Sequence, residues 1–217
     1  MPIAVADVLA RTDDLLMDAD RVRWTAEERI RWINEAAGAI LIRRPAARAM
    51  TVALPLSAGT LQAIPDNGVQ FLDLVCNLAA DGVTAGRVIR RTDRQLLDDA
   101  DPDWHAAKPV ATVKQYTFDD RMPKTFYVYP PAIAGTKVRL VHAELPPSVS
   151  ASTDSFDLQP EYLGAVVNYV CYRANSKDSE FANGAVATAF YQAFEAELGI
   201  QSQVQVNASP NQPTTSV

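Results

Sequence analysis

Residues 24–45 read WTAEERIRWINEAAGAILIRRP, and they contain the clearest secondary-structure signal in the chain. Thr25 and Glu28 have the T-x-x-E spacing of a helix-capping box, in which each side chain bonds the other residue's backbone N–H. Apolar residues then recur every three or four positions, as they do on one face of a helix: Ile30, Ile33, Ala37, Ile40 and Leu41. Pro45 disfavours helical backbone in the residue before it. The stretch therefore predicts an amphipathic helix that begins at the cap and ends just before Pro45.

Three further helices are predicted from the same periodicity. The first lies between Ile3 and Met17, and its apolar face consists of Val5, Val8, Leu9, Thr12 and Leu16. The other two lie on either side of a polar break at residues 175–180. Their apolar faces are Leu163, Val166, Val167, Val170, Cys171 and Ala174, followed by Val186, Ala189, Phe190, Ala193 and Phe194. Gly199 is expected to end the last of these helices, because glycine is common just after a helix C-terminus.

The middle of the chain has a different pattern, which begins near Ala46. Short runs rich in β-branched and aromatic residues alternate with turn signals, as in a β-rich fold. These runs are MTVALPL (50–56), TLQAIP (60–65), FLDLVCNLA (71–79), GRVIRR (86–91), TVKQYTF (112–118), TFYVYPP (125–131) and TKVRLVHAEL (136–145). One short helix, around residues 92–100, is expected to interrupt the strands.

The strand around Phe126 shows the alternation most clearly. Phe126 and Val128 are expected on one face of a sheet, and Tyr127 and Tyr129 on the other, because successive side chains of a strand point to opposite faces. Turn signals separate this run from its neighbours on both sides. Residues 112–143 are therefore predicted to form a three-stranded meander.

The order of these elements predicts an α+β fold: a four-helix bundle formed by the N- and C-terminal helix pairs, with a β-rich insertion between them. Neither helix pair has an evident partner for its apolar face other than the second pair. The expected domains are the bundle at 1–45 and 158–199, and the insertion at 46–157. Residues 200–217 lack charge, aromatic residues and helical period, so they are expected to be either disordered or held by a partner.

The net charge argues against a protein that binds nucleic acid tightly through its phosphates. The 217 residues include 20 Lys and Arg against 26 Asp and Glu, a net charge of −6. Residues 150–217 alone hold 2 basic and 7 acidic side chains. Strong binding to phosphates requires a basic surface. We also expect a cytosolic, soluble chain, because no secretory signal or long apolar span is evident.

The sequence shows no recognisable catalytic or metal site. Asp98, Asp99, Asp101 and Asp103 are the best metal candidate, but the positions that complete a calcium loop hold Trp104 and Val110 instead of Gly and Glu. His105 and His142 have no ligand at metal-binding spacing, and His142 is expected to be a half-buried strand residue. Cys76 and Cys171 lie in apolar runs and are expected to be buried, reduced thiols.

Nucleotide-binding and hydrolase motifs are also missing from the sequence. The most basic run, residues 86–91, could contact phosphate, but such residues on an exposed strand are more often a solvated face. We therefore predict that the protein is not an enzyme, that it needs no cofactor, and that it has no catalytic or metal-binding residues.

Several short segments, in their order along the chain, resemble the adaptor proteins of tailed bacteriophages. The segments are WTAEE (24–28), WINEA (32–36), RP (44–45), LSAGTLQAIP (56–65), LD (97–98), PDW (102–104), FYVYPP (126–131) and YRANSKDSE (172–180). The resemblance covers roughly residues 20–198. A helical bundle that carries a β-rich insertion is similar to the tail-tube type of adaptor found in short-tailed phages.

The resemblance implies a structural virion protein. Subunits of such adaptors form a ring, commonly dodecameric, that joins the capsid portal to the tail and lines the path of the DNA. The implied partners are the portal protein, tail or nozzle proteins and further copies of the chain. DNA would pass without specific binding, no membrane is involved, and assembly would take place in the host cytoplasm.

Six residues are candidates for contacts with the portal or a neighbouring subunit. Tyr162, Tyr169 and Tyr172 flank the apolar face of their helix, and Ile200, Val204 and Val206 are apolar positions in the uncharged tail. Because the subunits of such adaptors must hold the portal and each other, the resemblance implies that residues 200–217 are a flexible C-terminal docking arm. An extended Val204–Val206 segment of this arm could add to a neighbour as a strand. The alternative is a cytosolic ligand-binding or regulatory module that uses the β-rich insertion, and an enzyme with a scattered active site is a third class.

Overall fold

The computed structural model describes residues 2–177 and 182–208, with residues 200–208 described by their backbone only. The chain divides into two compact units. The helical unit is made of Met1–Arg48 and Pro146–Val217, and the β unit is the continuous segment Ala49–Leu145.

The described residues form five α-helices and ten strands, with three short 3-10 turns at Pro45–Arg48, Trp104–Ala106 and Pro160–Tyr162. The helices are α1 (Val5–Leu16), α2 (Ala26–Arg43), α3 (Arg94–Ala100), α4 (Leu163–Ser176) and α5 (Gly184–Ala208). The strands are β1 (Ile3–Ala4), β2 (Ala49–Pro55), β3 (Gly59–Ala63), β4 (Gly68–Leu78), β5 (Ala85–Val88), β6 (Arg90–Arg91), β7 (Gln115–Thr117), β8 (Thr125–Ala132), β9 (Lys137–Glu144) and β10 (Ser155–Phe156).

The capping box at the start of α2 is confirmed. The Thr25 hydroxyl accepts a hydrogen bond from the Glu28 backbone N–H at 3.3 Å, and the Glu28 carboxylate accepts one from the Thr25 N–H at 3.3 Å. Both bonds satisfy N–H groups that a helix N-terminus otherwise leaves unpaired. α2 ends at Arg43, two residues before Pro45, as predicted.

A buried ionic network organises the connection between α1 and α2. The fully buried guanidinium of Arg29 donates to the carboxylates of Asp13 and Asp18, at 2.5 Å and 2.8 Å. Asp18 also accepts backbone hydrogen bonds from the three residues that lead into the cap, Val22, Arg23 and Trp24. Asp18 therefore holds the loop closed, and Arg29 neutralises the charge that this requires.

The predicted four-helix bundle with an insertion is wrong as a description of the fold. In the helical unit α4 contacts α1, α2 and α5, so the helices do not form two hairpins packed face to face. The unit also contains a two-stranded sheet, in which Ile3 pairs with Phe156. Residues 146–157 belong to this unit, because Val149 lies in its core and its backbone bonds Asn34 twice, at 2.9 Å.

The β unit has its own hydrophobic core, which lies between two sheets. It contains one sheet of strand order β2-β9-β4-β5 and another of order β3-β8-β7-β6. Buried side chains from both sheets form one cluster, in which the Phe71 and Phe126 rings stack at 4.6 Å. Its first and last strands are paired, with Ala49 opposite Ala143, so the two ends of the segment are neighbours.

The alternation in β8 is confirmed, but the predicted meander is wrong. Phe126 and Val128 are fully buried, and Tyr127 and Tyr129 are half-buried on the other face. β8 pairs with β7 as expected, but β9 lies in the other sheet between β2 and β4. The chain crosses between sheets in a turn with Gly135 at φ 83°, which glycine adopts without strain.

The last helix is longer than predicted, and its buried face is different. α5 continues through Gly199 to Ala208, so the prediction that Gly199 ends the helix is wrong. Its described buried residues are Ala187, Phe194 and Leu198, which contact α4, whereas Val186 is exposed. The extended conformation expected for Val204 and Val206 is likewise wrong, because both lie on α5. Residues 209–217 of the expected arm lie outside the described residues.

Candidate functional site

The hairpin of α4 and α5 carries a cluster of four aromatic side chains. The Tyr169 ring lies 5.8 Å from Tyr172 and 5.4 Å from Phe194, and the Tyr172 ring lies 5.0 Å from Tyr191. Phe194 is fully buried, while the three tyrosines are half-buried. The edges of the tyrosines therefore form an amphipathic surface along the hairpin.

Arg43 ties this cluster to the end of α2. Its guanidinium donates to the Tyr191 hydroxyl and to the Glu195 carboxylate, each at 2.7 Å. It also lies over the Phe194 ring, 5.4 Å from the centroid, a cation–π contact. The hydrogen bond with Glu195, together with burial, raises the pKa of Tyr191, so the phenol stays protonated at neutral pH. The cluster is therefore held in one geometry.

An open cavity of about 430 Å³ lies at one end of the hairpin. Its walls are the two tyrosine rings of Tyr172 and Tyr191 and several small or polar residues: Asn175, Ser176, Ala182, Gly184, Ala187 and Thr188. Aromatic walls with a polar rim are typical of places where a protein partner inserts a side chain.

The structure brings together only some of the predicted contact residues. Tyr169 and Tyr172 are neighbours on α4 and reach the surface. Tyr162 is 1% exposed in the 3-10 turn before α4, so it is a core residue of the helical unit. Ile200, Val204 and Val206 lie on α5, and their side chains are outside the description.

Sequence reasoning missed Tyr191 and Arg43. The i, i+3 spacing of Tyr191 and Phe194 is a helical signal that could have placed the tyrosine beside the apolar face. No local signal connects Arg43 to it, because the two residues are separated by 148 positions.

The β unit presents a group of exposed cations on its edge strands. Arg87, Arg90 and Lys114, together with Val88 and Gln115, line a cleft of about 330 Å³. The basic run at 86–91 is therefore solvent-exposed, as the sequence suggested for its charged residues. Arg91 differs from the three cleft cations, because its guanidinium lies 4.7 Å from the centroid of the Phe118 ring.

Two aspartates of α3 and its N-cap have structural roles. Asp93 caps α3 by accepting from the Gln95 N–H at 2.9 Å, and Asp98 accepts from the Trp104 indole N–H at 2.8 Å. Asp98 also pairs with Arg94 at 3.4 Å. Among residues 2–177 and 182–199, no group of three or more His, Cys, Asp and Glu side chains is placed to hold a metal ion.

The histidines and cysteines do not form a reactive constellation. The Nδ1 atom of His105 lies 2.8 Å from the Thr60 hydroxyl, and His142 lies on β9 with its ring 3.7 Å from Glu144. His142 is 1% exposed, so it is more deeply buried than predicted. Cys76 and Cys171 are buried and free, which confirms the prediction. Burial raises the pKa of Cys171 to about 12, which makes its thiol a poor nucleophile.

Comparison with known proteins agrees with the resemblance noted in the sequence. Individually curated proteins give no significant match. The described helices include none that is long and apolar enough to cross a membrane. The sequence model of one family, described as SU10 adaptor protein, matches residues 3–214. Because this match covers nearly the whole chain, the protein belongs to the SU10 adaptor family, a family of phage structural adaptors.

Proposed function

We propose that this protein is the head-to-tail adaptor of a tailed phage, which joins the capsid portal to the tail as a ring around the DNA path. The family match over residues 3–214 carries the proposal. The ring is dodecameric, as in the adaptors that the sequence resembles. Its role is structural, and the proposal assigns no catalytic residue or cofactor.

The charge distribution supports the proposal that DNA passes through the ring. The helical unit holds 10 basic and 15 acidic side chains, and the β unit holds 10 and 11. Each phosphate that a protein neutralises adds affinity for DNA, and such affinity opposes sliding. A net-acidic subunit therefore suits a ring through which DNA must move freely.

The aromatic surface of the α4–α5 hairpin supports contact with another protein. Tyr169 and Tyr172, with Tyr191 beside them, offer large, partly exposed rings held by Arg43, and such rings dominate the energy of many interfaces. We propose these residues, with Ile200, Val204 and Val206, as contacts to the portal or to a neighbouring subunit. Tyr162 is left out because it is buried in the core.

Mixing the purified protein with portal rings and imaging the product by electron microscopy tests the proposal. The expected result is a ring of additional density at the tail-facing end of the portal. Portals that remain bare at saturating protein concentration would contradict the proposal. The protein alone is imaged in parallel, which shows whether the ring needs the portal.

Two variants test which parts of the chain contact the portal. Deleting residues 200–217 is expected to leave the melting temperature nearly unchanged and to weaken attachment to the portal. Replacing Tyr172 and Tyr191 by Ser is expected to weaken attachment as well, and Gln192→Ser, an exposed change on the same helix, serves as the control. Attachment equal to that of the full chain in both variants would remove these residues from the interface.

A ligand-binding module is the second candidate, and one observation favours it. The β unit has an open cleft of about 500 Å³, which is lined by the aromatic rings of Phe118 and Tyr127 and by charged residues of both signs: Arg94, Asp119, Asp120 and Arg121. A monomer whose melting temperature rises with a small-molecule ligand, and which does not bind portals, would support this function instead.

A further inference from the structure

Besides the aromatic surface of the α4–α5 hairpin, the structure has a cleft lined by Arg87, Arg90 and Lys114, which is named here the cationic cleft. β5 is the outermost strand of its sheet and β6 of the other, so the cleft follows an open edge of the β unit. The Arg90 N–H donates to the Lys114 carbonyl at 3.1 Å, which holds these two residues side by side. Val88, 63% exposed, adds an apolar patch.

The three cations of the cleft have no counter-charge within the part of the chain that the structure describes. No ion pair joins Arg87, Arg90 or Lys114 to a described carboxylate, whereas the nearby Arg94 pairs with Asp98. Like charges gathered in this way repel one another, and an anionic group that enters the cleft relieves the repulsion. The cleft is therefore a favourable binding site for an anionic group of another molecule.

Two classes of anion are available, a nucleic acid and an acidic protein segment. A duplex would extend well beyond one Debye length, about 8 Å at physiological salt, and would meet a unit with 11 acidic against 10 basic side chains. A short acidic segment would interact with the cleft alone. The charge of the whole unit therefore favours the protein segment.

The same chain displays such a segment. Asp99, Asp101 and Asp103 are named here the acidic segment. Asp99 lies in the last turn of α3, Asp101 caps the C-terminus of this helix and Asp103 follows it; Asp99 and Asp103 are exposed. Their carboxylates make no hydrogen bond or ion pair with any described residue, in contrast to Asp98, which bonds Trp104 and Arg94. Among its described residues, the β unit thus carries one group of cations and one group of carboxylates without an ion-pair partner, and the two groups are complementary in charge.

We propose that the cationic cleft of one subunit binds the acidic segment of a second copy. This inference rests on the proposed ring and names the contact between its adjacent subunits. The contact joins two different patches, so a head-to-tail arrangement leaves one patch of each kind free for the next copy. Such contacts form a ring when the rotation between neighbouring copies closes. Because the pairs lie near the surface, salt weakens the contact.

The test uses two full-length variants, Arg87→Glu/Arg90→Glu and Asp99→Lys/Asp103→Lys, studied by analytical ultracentrifugation at low and high salt. The wild type is expected to self-associate at low salt, and each variant alone to do so at least about tenfold more weakly. In an equimolar mixture, the native cleft of one variant meets the native acidic segment of the other, and the reversed cleft meets the reversed segment. The mixture is therefore expected to recover association through contacts between the two variants. Lys108→Glu/Lys124→Glu, which makes the same charge change at exposed positions elsewhere in the β unit, is expected to behave as the wild type.

Three results would overturn the inference: a wild type that stays monomeric at low salt, a mixture of the variants that recovers no association, or duplex DNA binding that Arg87→Glu/Arg90→Glu abolishes. Portal imaging separates this failure from that of the proposed function. If the charge variants still form normal rings on portals, the contact is wrong and the adaptor role stands. If the wild type forms no ring on portals, the adaptor role itself fails.

Discussion

At the scale of single residues, Arg29 is the centre of the ionic network in the helical unit. It is a fully buried cation, and both of its carboxylate partners, Asp13 and Asp18, come from α1 and the loop that follows. A buried ion pair contributes little compared with apolar residues of the same volume, but removing one partner leaves an uncompensated buried charge.

Arg29→Ala is therefore expected to lower the free energy of unfolding by about 3–5 kcal/mol. Arg31→Ala is the matched control on the same helix, because Arg31 is 69% exposed and its Glu28 partner is 4.0 Å away. This control is expected to change the stability by less than about 0.5 kcal/mol. Urea denaturation at neutral pH measures both, and equal effects would contradict the role assigned to the network.

Asp18 makes the same network sensitive to acid. Burial alone would raise the pKa of Asp18, but the backbone N–H groups of Trp24, Arg23 and Val22, together with Arg29, hold it below its usual value. A carboxyl group with a lowered pKa in the folded state contributes stability above its unfolded pKa, about 3.9. That stability is lost as the pH falls through the folded pKa.

Asp18→Asn is thus expected to be less stable than the wild type at pH 7, and the difference should shrink below about pH 4. Urea denaturation at pH 7, 4 and 3 measures the difference. Asp20→Asn, an exposed change in the same loop, is the control and should follow the wild type throughout. A difference that stays constant with pH would show that the charge of Asp18 is not responsible.

At the scale of elements, the contact between α4 and α5, called here the seam, includes the partly buried carboxylate of Glu197. Burial raises the pKa of Glu197, and the hydrogen bond from Asn168 at 2.9 Å only partly lowers it again. The absence of a side chain at Gly164 makes room for the Glu197 carboxylate, whose oxygens lie 2.6–2.7 Å from where a Cβ would stand. Ionised Glu197 therefore weakens the seam.

Glu197→Gln is expected to stabilise the protein at pH 7, because the amide keeps an acceptor for Asn168 and carries no charge. A carboxyl group with a raised folded pKa contributes stability below its unfolded pKa, about 4.3, and loses it as the pH rises through the folded value. The advantage of the variant should therefore vanish below about pH 4. Thermal melts across this range measure it, with the exposed Glu161→Gln as control; a gain that is the same at every pH would refute the charge argument.

The elements that the sequence predicts well are those whose signals are local. The cap at Thr25 and the alternation around Phe126 depend on residues a few positions apart, and both are confirmed. The pairing of Ile3 with Phe156 and the position of β9 between β2 and β4 depend on partners far along the chain. No periodicity encodes them. For the candidate aromatic surface, helical spacing predicts Tyr169 and Tyr172 and also offers a signal for Tyr191. Arg43 has no such signal, because it meets Tyr191 through tertiary packing.

At the scale of the whole molecule, the two units have separate cores. The β unit is one continuous segment, and Ala49 pairs with Ala143 at its ends. The isolated segment 49–145 is therefore expected to fold by itself. Trp104 is its single tryptophan and is fully buried, so blue-shifted fluorescence with a cooperative urea transition checks this, and emission typical of water-exposed tryptophan would contradict it.

The reciprocal change tests the helical unit. Replacing residues 49–145 by a flexible linker of about six residues, which reaches about 20 Å when extended, is expected to leave a helical protein that melts cooperatively. Far-UV circular dichroism measures both properties. A chain without cooperative melting would show that the helical unit needs the β unit to fold.

The neighbouring ends of the β unit also affect how the segment can be exchanged by recombination. Because the unit is encoded by one uninterrupted stretch of the gene, two recombination crossovers flanking that stretch can exchange it whole between related phages. The helical unit is assembled from the two segments that flank this stretch, so both segments must be inherited together to keep their buried contacts. We therefore expect natural variants to differ most between residues 49 and 145, where the surface of the adaptor can change without a change in the helical core.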